Sequence, residues 1–182
     1  YGRGGAHTAW KPALDSFLSQ QSNEFLNGKN ICVLGHIYVD DVMETSNALN
    51  VKNKNELQEL RKLVSIVDTR VSEIVTKIIS SGKIPIIVGG GHNNSYPIIK
   101  GCSLAINKPL HVINCDPHTD FRPLEGRHSG NGFSYAYQEK YMTNYSVFCM
   151  HEQYNTASVL TDFTKNNHHL YYSTYEDVFV RE

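Results

Sequence analysis

Residues 110–122 read LHVINCDPHTDFR. An apolar run, Leu110 to Ile113, gives way at Asn114-Cys115 to Asp116, His118 and Asp120 at alternate positions. Successive side chains of an extended strand point to opposite faces, so positions i, i+2 and i+4 share a face if the chain stays extended to its tip. Two carboxylates and an imidazole then converge at a strand end. Such a cluster is costly through Coulomb repulsion unless a cation sits among its members. The stretch reads as a strand that ends in metal ligands.

A second short apolar run, Ile84–Val88, runs out at Gly89-Gly90-Gly91 and His92. A helix over about 94–105 and the strand 110–115 follow it. One right-handed crossover of that length returns the chain beside itself and sets His92 against Asp116. Open parallel sheets bind ligands at the carboxyl ends of their strands, where both motifs fall. Alone, GGGH is a glycine turn, and with no following GK[ST] it does not read as a nucleotide loop. Alone, DPHTD is a polar strand-to-helix loop. Their juxtaposition argues for a metal site.

Around these two stretches, apolar spacing predicts a helix from Trp10 to about Phe25 and a buried strand over 30–39. A polar surface loop over 40–54 and a long helix over about 55–80 follow. Beyond the loop 116–128 come a helix over about 131–141 and a strand over 145–150. A helix over about 156–165 and a strand near 169–172 complete the pattern. Strands alternating with helices long enough for crossovers give an α/β fold with a mainly parallel sheet. Residues 1–182 read as a single domain, with no internal repeat.

The chain has 182 residues, 40% hydrophobic and 19% charged, with a formal net charge of −1. It lacks the basic field that a nucleic-acid or membrane-surface partner would leave. No apolar stretch approaches the roughly 20 residues that span a bilayer, and YGRGGAHTAW has no signal-peptide pattern. Cys32, Cys102, Cys115 and Cys149 form no CxxC pair. They read as buried reduced thiols, which points to the cytoplasm.

GGGH, a strand ending DxHxD followed by Arg122, and the downstream RHSGN resemble the ureohydrolase family, which includes arginase, agmatinase and formimidoylglutamase. The opening GRGGA resembles that family's glycine-rich loop, and VFCMHEQYN (147–155) its strand after the substrate loop. RHSGNGFSYA (127–136) is most similar to formimidoylglutamase-like members. The resemblance implies a three-layer arginase-like α/β fold, here incomplete, and a manganese-dependent hydrolase of a linear C–N amidine bond. The small-molecule substrate would be formiminoglutamate, cleaved to glutamate and formamide; arginase or agmatinase activity is the alternative. It implies two Mn2+ ions, one held by His92, Asp116 and Asp120, the other by His118 and the bridging Asp116. A water activated there would attack the trigonal amidine carbon, and Asp120 would carry a proton to the departing nitrogen. Ser129 and Asn131 would hold the substrate's amino-acid carboxylate. His128 is read either as a proton shuttle or as a structural hydrogen-bonding partner of loop backbone. Arginases carry a histidine two positions past that asparagine, where this chain has Phe133, which weakens the arginine reading.

Other polar residues read as ordinary. Arg122 is expected to be a structural ion-pair partner, and His36, Asp40 and Asp41 loop or capping residues. His151 and Glu152 have no obligatory role, and Ser129 lacks the GxSxG turn of a nucleophile. The family also uses a DxD on a later strand. After Asp120 this chain has only Asp162 and Asp177, so the domain is expected to be truncated before the C-terminal metal-binding strand. Tyr1, which is not methionine, suggests trimming at the other end too. With three ligands for one ion and two for the other, the 182 residues alone are expected to bind metal weakly and to be inactive. Truncation would leave the strand near 169–172 with an unpaired edge, so either a homo-oligomer or an unstable fragment is expected. Two further readings are a single-zinc deacetylase, for which His168-His169 is poorly placed, and a metal-poor, non-catalytic arginase-like binding protein.

Overall fold

A computed structural model describes residues 5–165 and 169–181. Its helices are α1 (Trp10–Leu18), α2 (Asp40–Asn47), α3 (Lys54–Ser80), α4 (Ser95–Ile106), α5 (Gly132–Gln138), α6 (Ala157–Lys165) and α7 (Tyr175–Phe179). Three strands, β1 (Leu110–Cys115), β2 (Met142–Met150) and β3 (Leu170–Thr174), form a parallel sheet in the order β1-β2-β3. Cys115 lies opposite Phe148, and Val147 opposite Tyr172. The crossovers carry α5 and α6, as parallel neighbours require.

α3 is the longest element, 27 residues. Asn53 caps it, its Oδ1 accepting from the Asn55 and Glu56 N–H groups at 2.9 and 3.5 Å, which satisfies donors with no partner inside the helix. Arg61, Asp68, Val71, Ser72 and Val75 repeat at three-, four- and seven-residue spacing and form its buried face. α4 crosses that face at Gly101. A Cβ there would lie 2.7 Å from the Ser72 carbonyl oxygen and 2.8 Å from the Val75 Cβ, so glycine sets how closely the two helices approach. The core beneath is aromatic: Tyr96, Phe133, Tyr145 and Phe163 pack with Ile99, Met142, Val147, Met150 and Leu170. Phe133 stacks on Tyr145 with centroids 4.4 Å apart. Each fully buried side chain of this size contributes about 1.5–3 kcal/mol.

β1 turns Leu110, Val112 and Asn114 inward and His111, Ile113 and Cys115 outward. Ile113 is 78% exposed, so the outward face of β1 is bare. Among the described residues β1 and β3 each pair only with β2.

Several expectations are corrected. The stretch 30–39 forms no strand, and neither does 84–88, where Ile84 and Ile86 are 89% and 88% exposed. Their apolar composition matches a buried strand, but among the described residues no neighbouring strand pairs with them. The polar stretch 40–54 is not all loop: α2 occupies its first half, with Asp40 and Asp41 in the first turn. Asp41 receives both Nη1 and Nη2 of Arg70 at 2.7 and 2.6 Å, and this pair holds its carboxyl down at about 2. α1 ends at Leu18, well short of Phe25. The cysteines are free as expected, but Cys32 and Cys115 are exposed rather than buried. His168 and residues 2–4 of GRGGA lie outside the described residues.

Candidate metal centre

β1 stops at Cys115, and its last tie to the sheet is the Asp116 N–H, which donates to the Phe148 carbonyl at 3.3 Å. The chain does not continue extended. Asp116 Oδ1 accepts from the His118 N–H at 2.7 Å, the local turn that a short carboxylate side chain favours. Asp120 then adopts a left-handed backbone, φ 44°. The three residues therefore do not converge by strand alternation, as the sequence suggests. The turn carries Asp120 back over the strand end.

Partners outside the segment hold that turn. The Tyr145 hydroxyl donates to the Thr119 carbonyl at 2.7 Å and accepts from Asn114 Nδ2 at 3.2 Å. Asn155 Oδ1 accepts from the Thr119 N–H at 2.9 Å, while its Nδ2 donates to the Pro117 and His151 carbonyls at 3.1 and 3.0 Å. Sequence reasoning singles out neither residue. Asn155 ends the VFCMHEQYN stretch, where a lone amide after a strand is an available signal. Tyr145 offers none.

His92 arrives from the other side. Gly89 and Gly90 have φ of 81° and 74°, conformations that glycine adopts without steric cost, and they turn the chain into His92. The imidazole is half-buried, edge-on to Phe133 at 5.6 Å. Its Nδ1 lies 3.7 Å from Asp116 Oδ2 and its Nε2 3.4 Å from Asp120 Oδ2. One ligand atom from each of His92, Asp116 and Asp120 falls within 4.8 Å of the others. Ligands about 2.1 Å from a six-coordinate ion sit roughly 3–4.2 Å from one another; the outer bound on this trio, 4.8 Å, is slightly wider, so the three gather the donors for a divalent cation without forming a closed shell. Two carboxylates with one imidazole is a donor set suited to manganese. Burial pushes the Asp120 carboxyl up, His92 draws it back, and the Asp116 charge adds to the rise. A cation would relieve that strain directly.

His118 stands apart from this trio. Its Nδ1 is 3.2 Å from Asp116 Oδ1, but the ring is exposed and stacks on Tyr154 at 5.4 Å. Tyr154 stacks in turn on His151, and His151 on Tyr175, at 5.1 and 4.9 Å. Glu152 is engaged by Arg181 at 2.6 Å.

The loop 122–131 is organised by buried groups. Asn131 is fully buried. Its Oδ1 accepts from Arg127 Nη1 and the His128 N–H at 2.8 and 3.0 Å, and its Nδ2 donates to the Pro123 and Gly126 carbonyls at 3.2 and 2.9 Å. The side chain thus shapes the loop from within. His128 Nδ1 accepts from the Gly130 N–H at 3.1 Å, and Nε2 faces Glu125 Oε1 at 3.1 Å, so both ring nitrogens are engaged in the loop. Ser129 is exposed at the loop surface. Arg122 faces Glu125 at 3.8 Å, the ion-pair role expected for it.

A family profile described as the arginase family matches residues 17–178. The chain belongs to the arginase family. Among curated arginase-family relatives, formimidoylglutamase from Macrococcus caseolyticus is 31% identical over 109 residues, 59% of this chain and 35% of that protein. Formimidoylglutamase from Streptococcus pyogenes is 30% identical over 139 residues, 71% of this chain and 40% of that protein. The matched stretch thus spans well under half of these relatives. A crystal structure of Trypanosoma cruzi formiminoglutamase with Mn2+ superposes with TM-score 0.57 at 24% identity, covering 63% of this chain and 39% of that one. A putative agmatinase from Clostridium difficile superposes with TM-score 0.65 at 19% identity, covering 97% and 60% respectively. The arginase-like α/β fold, with its parallel sheet incomplete relative to the family, follows from both.

Proposed function

We propose that this arginase-family chain supplies part of the active site of a manganese-dependent amidine hydrolase of the formimidoylglutamase type. The observation that carries the reading is the His92–Asp116–Asp120 trio, three donors gathered within 4.8 Å of one another from two neighbouring chain segments. The curated relatives named formimidoylglutamase and the Mn2+ in the Trypanosoma cruzi enzyme support the substrate class and the metal. His92, Asp116 and Asp120 would hold one ion, and His118 with Asp116 a second. Bound there, manganese would lower the pKa of a water enough to make a nucleophile near neutral pH.

This chain's own residues do the rest. Asp120, its carboxyl raised by burial, is suited to take up a proton and pass it to the departing nitrogen. Ser129 offers an exposed hydroxyl to the substrate's carboxylate. Asn131 and His128 act one step back by holding the loop that presents Ser129. Phe133 packs on His92 where arginases place a histidine, so the site wall there offers no hydrogen bond to a guanidinium. Residues 1–182 belong to one domain of a protein that forms a homo-oligomer.

The readout for the 182 residues themselves is Mn2+ binding, followed as loss of the free-ion EPR signal. Binding should be weak and should vanish in Asp116→Ala. For the protein that contains them, the readout is product: formamide from formiminoglutamate in the presence of Mn2+, with neither arginine nor agmatine yielding urea. Mn2+ binding untouched by Asp116→Ala, or urea as the main product, would overturn the proposal.

A further inference from the structure

Cys115 ends β1 immediately before Asp116, and Cys149 lies one residue past its cross-strand partner Phe148. In a regular strand Cys149 would point to the face opposite Phe148 and Cys115. Instead it has φ 59°, and the pairing of β2 with β3 is irregular between Val147 and Met150. That left-handed residue breaks the alternation, so the rule that would set the two thiols on opposite faces does not hold here. Burial pushes the Cys149 thiol up, and the neighbouring Cys115 thiol adds to that rise. Strand spacing and rise put Cα atoms one position off register roughly 6 Å apart, inside the ~4.4–6.8 Å that a disulfide spans. Among the described residues Cys115, Ile113 and Phe148 are exposed and Cys149 is half-buried, so Cys115 is the thiol that a small oxidant reaches first.

We propose that Cys115 and Cys149 are a redox-active dithiol that a low-molecular-weight disulfide oxidises to a reversible bridge between β1 and β2, directly behind Asp116. The step balances with glutathione disulfide. One protein thiolate attacks a glutathione sulfur, forming a mixed disulfide and releasing one glutathione thiolate. The second protein thiolate attacks the protein sulfur of that mixed disulfide, closing the bridge and releasing the other glutathione. The protein gives up two electrons and two protons, and one glutathione disulfide becomes two glutathione thiols. The bridge would make covalent a junction now held by hydrogen bonds from Asp116 N–H to the Phe148 carbonyl at 3.3 Å and from His151 N–H to the Pro117 carbonyl at 3.0 Å, so β1 and β2 could not part at that end.

The test oxidises a Cys32→Ser/Cys102→Ser variant, which keeps only this pair, with glutathione disulfide. Titratable thiols should fall to none while the chain stays monomeric on non-reducing gels. A non-reducing digest should contain the peptide linked through residues 115 and 149, and dithiothreitol should restore both thiols. The bridge should also raise the melting temperature, because it constrains the unfolded chain. In Cys115→Ser, Cys149 should instead retain a stable glutathione adduct, having lost the thiol that resolves it. If the double variant folds poorly, the oxidised wild-type chain is digested instead, and its dominant linked peptide should again join residues 115 and 149. Intermolecular dimers as the main product, persistent adducts on both cysteines, or a bridge involving Cys32 or Cys102 would overturn the proposal.

Discussion

Arg127 and Asp68 form a two-point ion pair between the loop after the metal segment and the middle of α3. Nε lies 2.8 Å from Oδ2 and Nη2 3.3 Å from Oδ1, with both side chains almost wholly buried at 5% and 6% exposure. The same guanidinium stacks on Tyr96 at 4.6 Å and donates to Asn131 Oδ1 and to the Asn93 carbonyl, each at 2.8 Å. One cation therefore ties α3, the turn holding His92 and the Ser129 loop together. Asp68→Ala leaves that guanidinium buried without its counter-charge, which is worth about 3–5 kcal/mol. Urea denaturation should show a loss of that size; a loss below about 1 kcal/mol would mean that the remaining bonds hold Arg127 without help.

Asn155 contacts no ligand atom, yet it bonds both Pro117 and Thr119 in the metal turn. Outer partners of this kind typically change metal affinity 10–100-fold. Asn155→Ala should weaken Mn2+ binding by about that factor while circular dichroism stays unchanged. Unaltered affinity would show that the turn holds its shape unaided.

Burial holds the His128 imidazole below the ordinary histidine range, against a smaller opposing pull from Glu125 and with Arg122 and Arg61 reinforcing the drop. The folded pKa then lies below the unfolded one, so between the two values the unfolded chain binds more protons and stability rises with pH. This contribution is complete above the ordinary value of about 6.5. It is lost as pH falls through that value and levels off below the folded pKa. Denaturation midpoints at about pH 8 and about pH 5 should differ for the parent chain, and His128→Gln should shrink the difference. An equal slope in both would assign the pH dependence to other groups.

Gly101 touches α3 where a methyl group would collide with backbone and with Val75. Neither neighbour is a flexible chain end, so Gly101→Ala must push the helices apart, at about 1–3 kcal/mol by the usual cost of overpacking. Thermal unfolding should show the loss; an increase in stability would mean that α4 can shift freely.

Much of this architecture is legible in the sequence. The three-and-four spacing of α3, the short apolar runs of β1, β2 and β3, and the juxtaposition of His92 with Asp116 all follow from local pattern and crossover length. The stretches 30–39 and 84–88 carry the composition of strands, but a strand exists only through its neighbour, and pairing is not a local property. α2 escapes for the opposite reason: its residues are polar, and one of its anchors is Arg70, 29 positions from Asp41. Cys115 sits in an apolar run yet its side chain is exposed. The roles of Arg127, Asn131 and Asn155 depend on contacts that converge from several segments, which no spacing rule encodes.

The left-handed backbone at Asp120 gives that position a narrow repertoire. Side chains that tolerate such a φ cheaply are glycine, asparagine and aspartate, while β-branched and bulky ones do not. Under the proposed function, coordination would ask for a carboxylate while the turn asks for one of those three, so aspartate alone would answer both. The two demands can be lost separately. A lineage that gave up the ion could drift to asparagine or glycine at position 120 and keep the shape of the turn. Valine or leucine there would mark a loop that had been rebuilt. Under that reading, the residue type at this position in an arginase-like sequence would distinguish loss of the metal from loss of the loop.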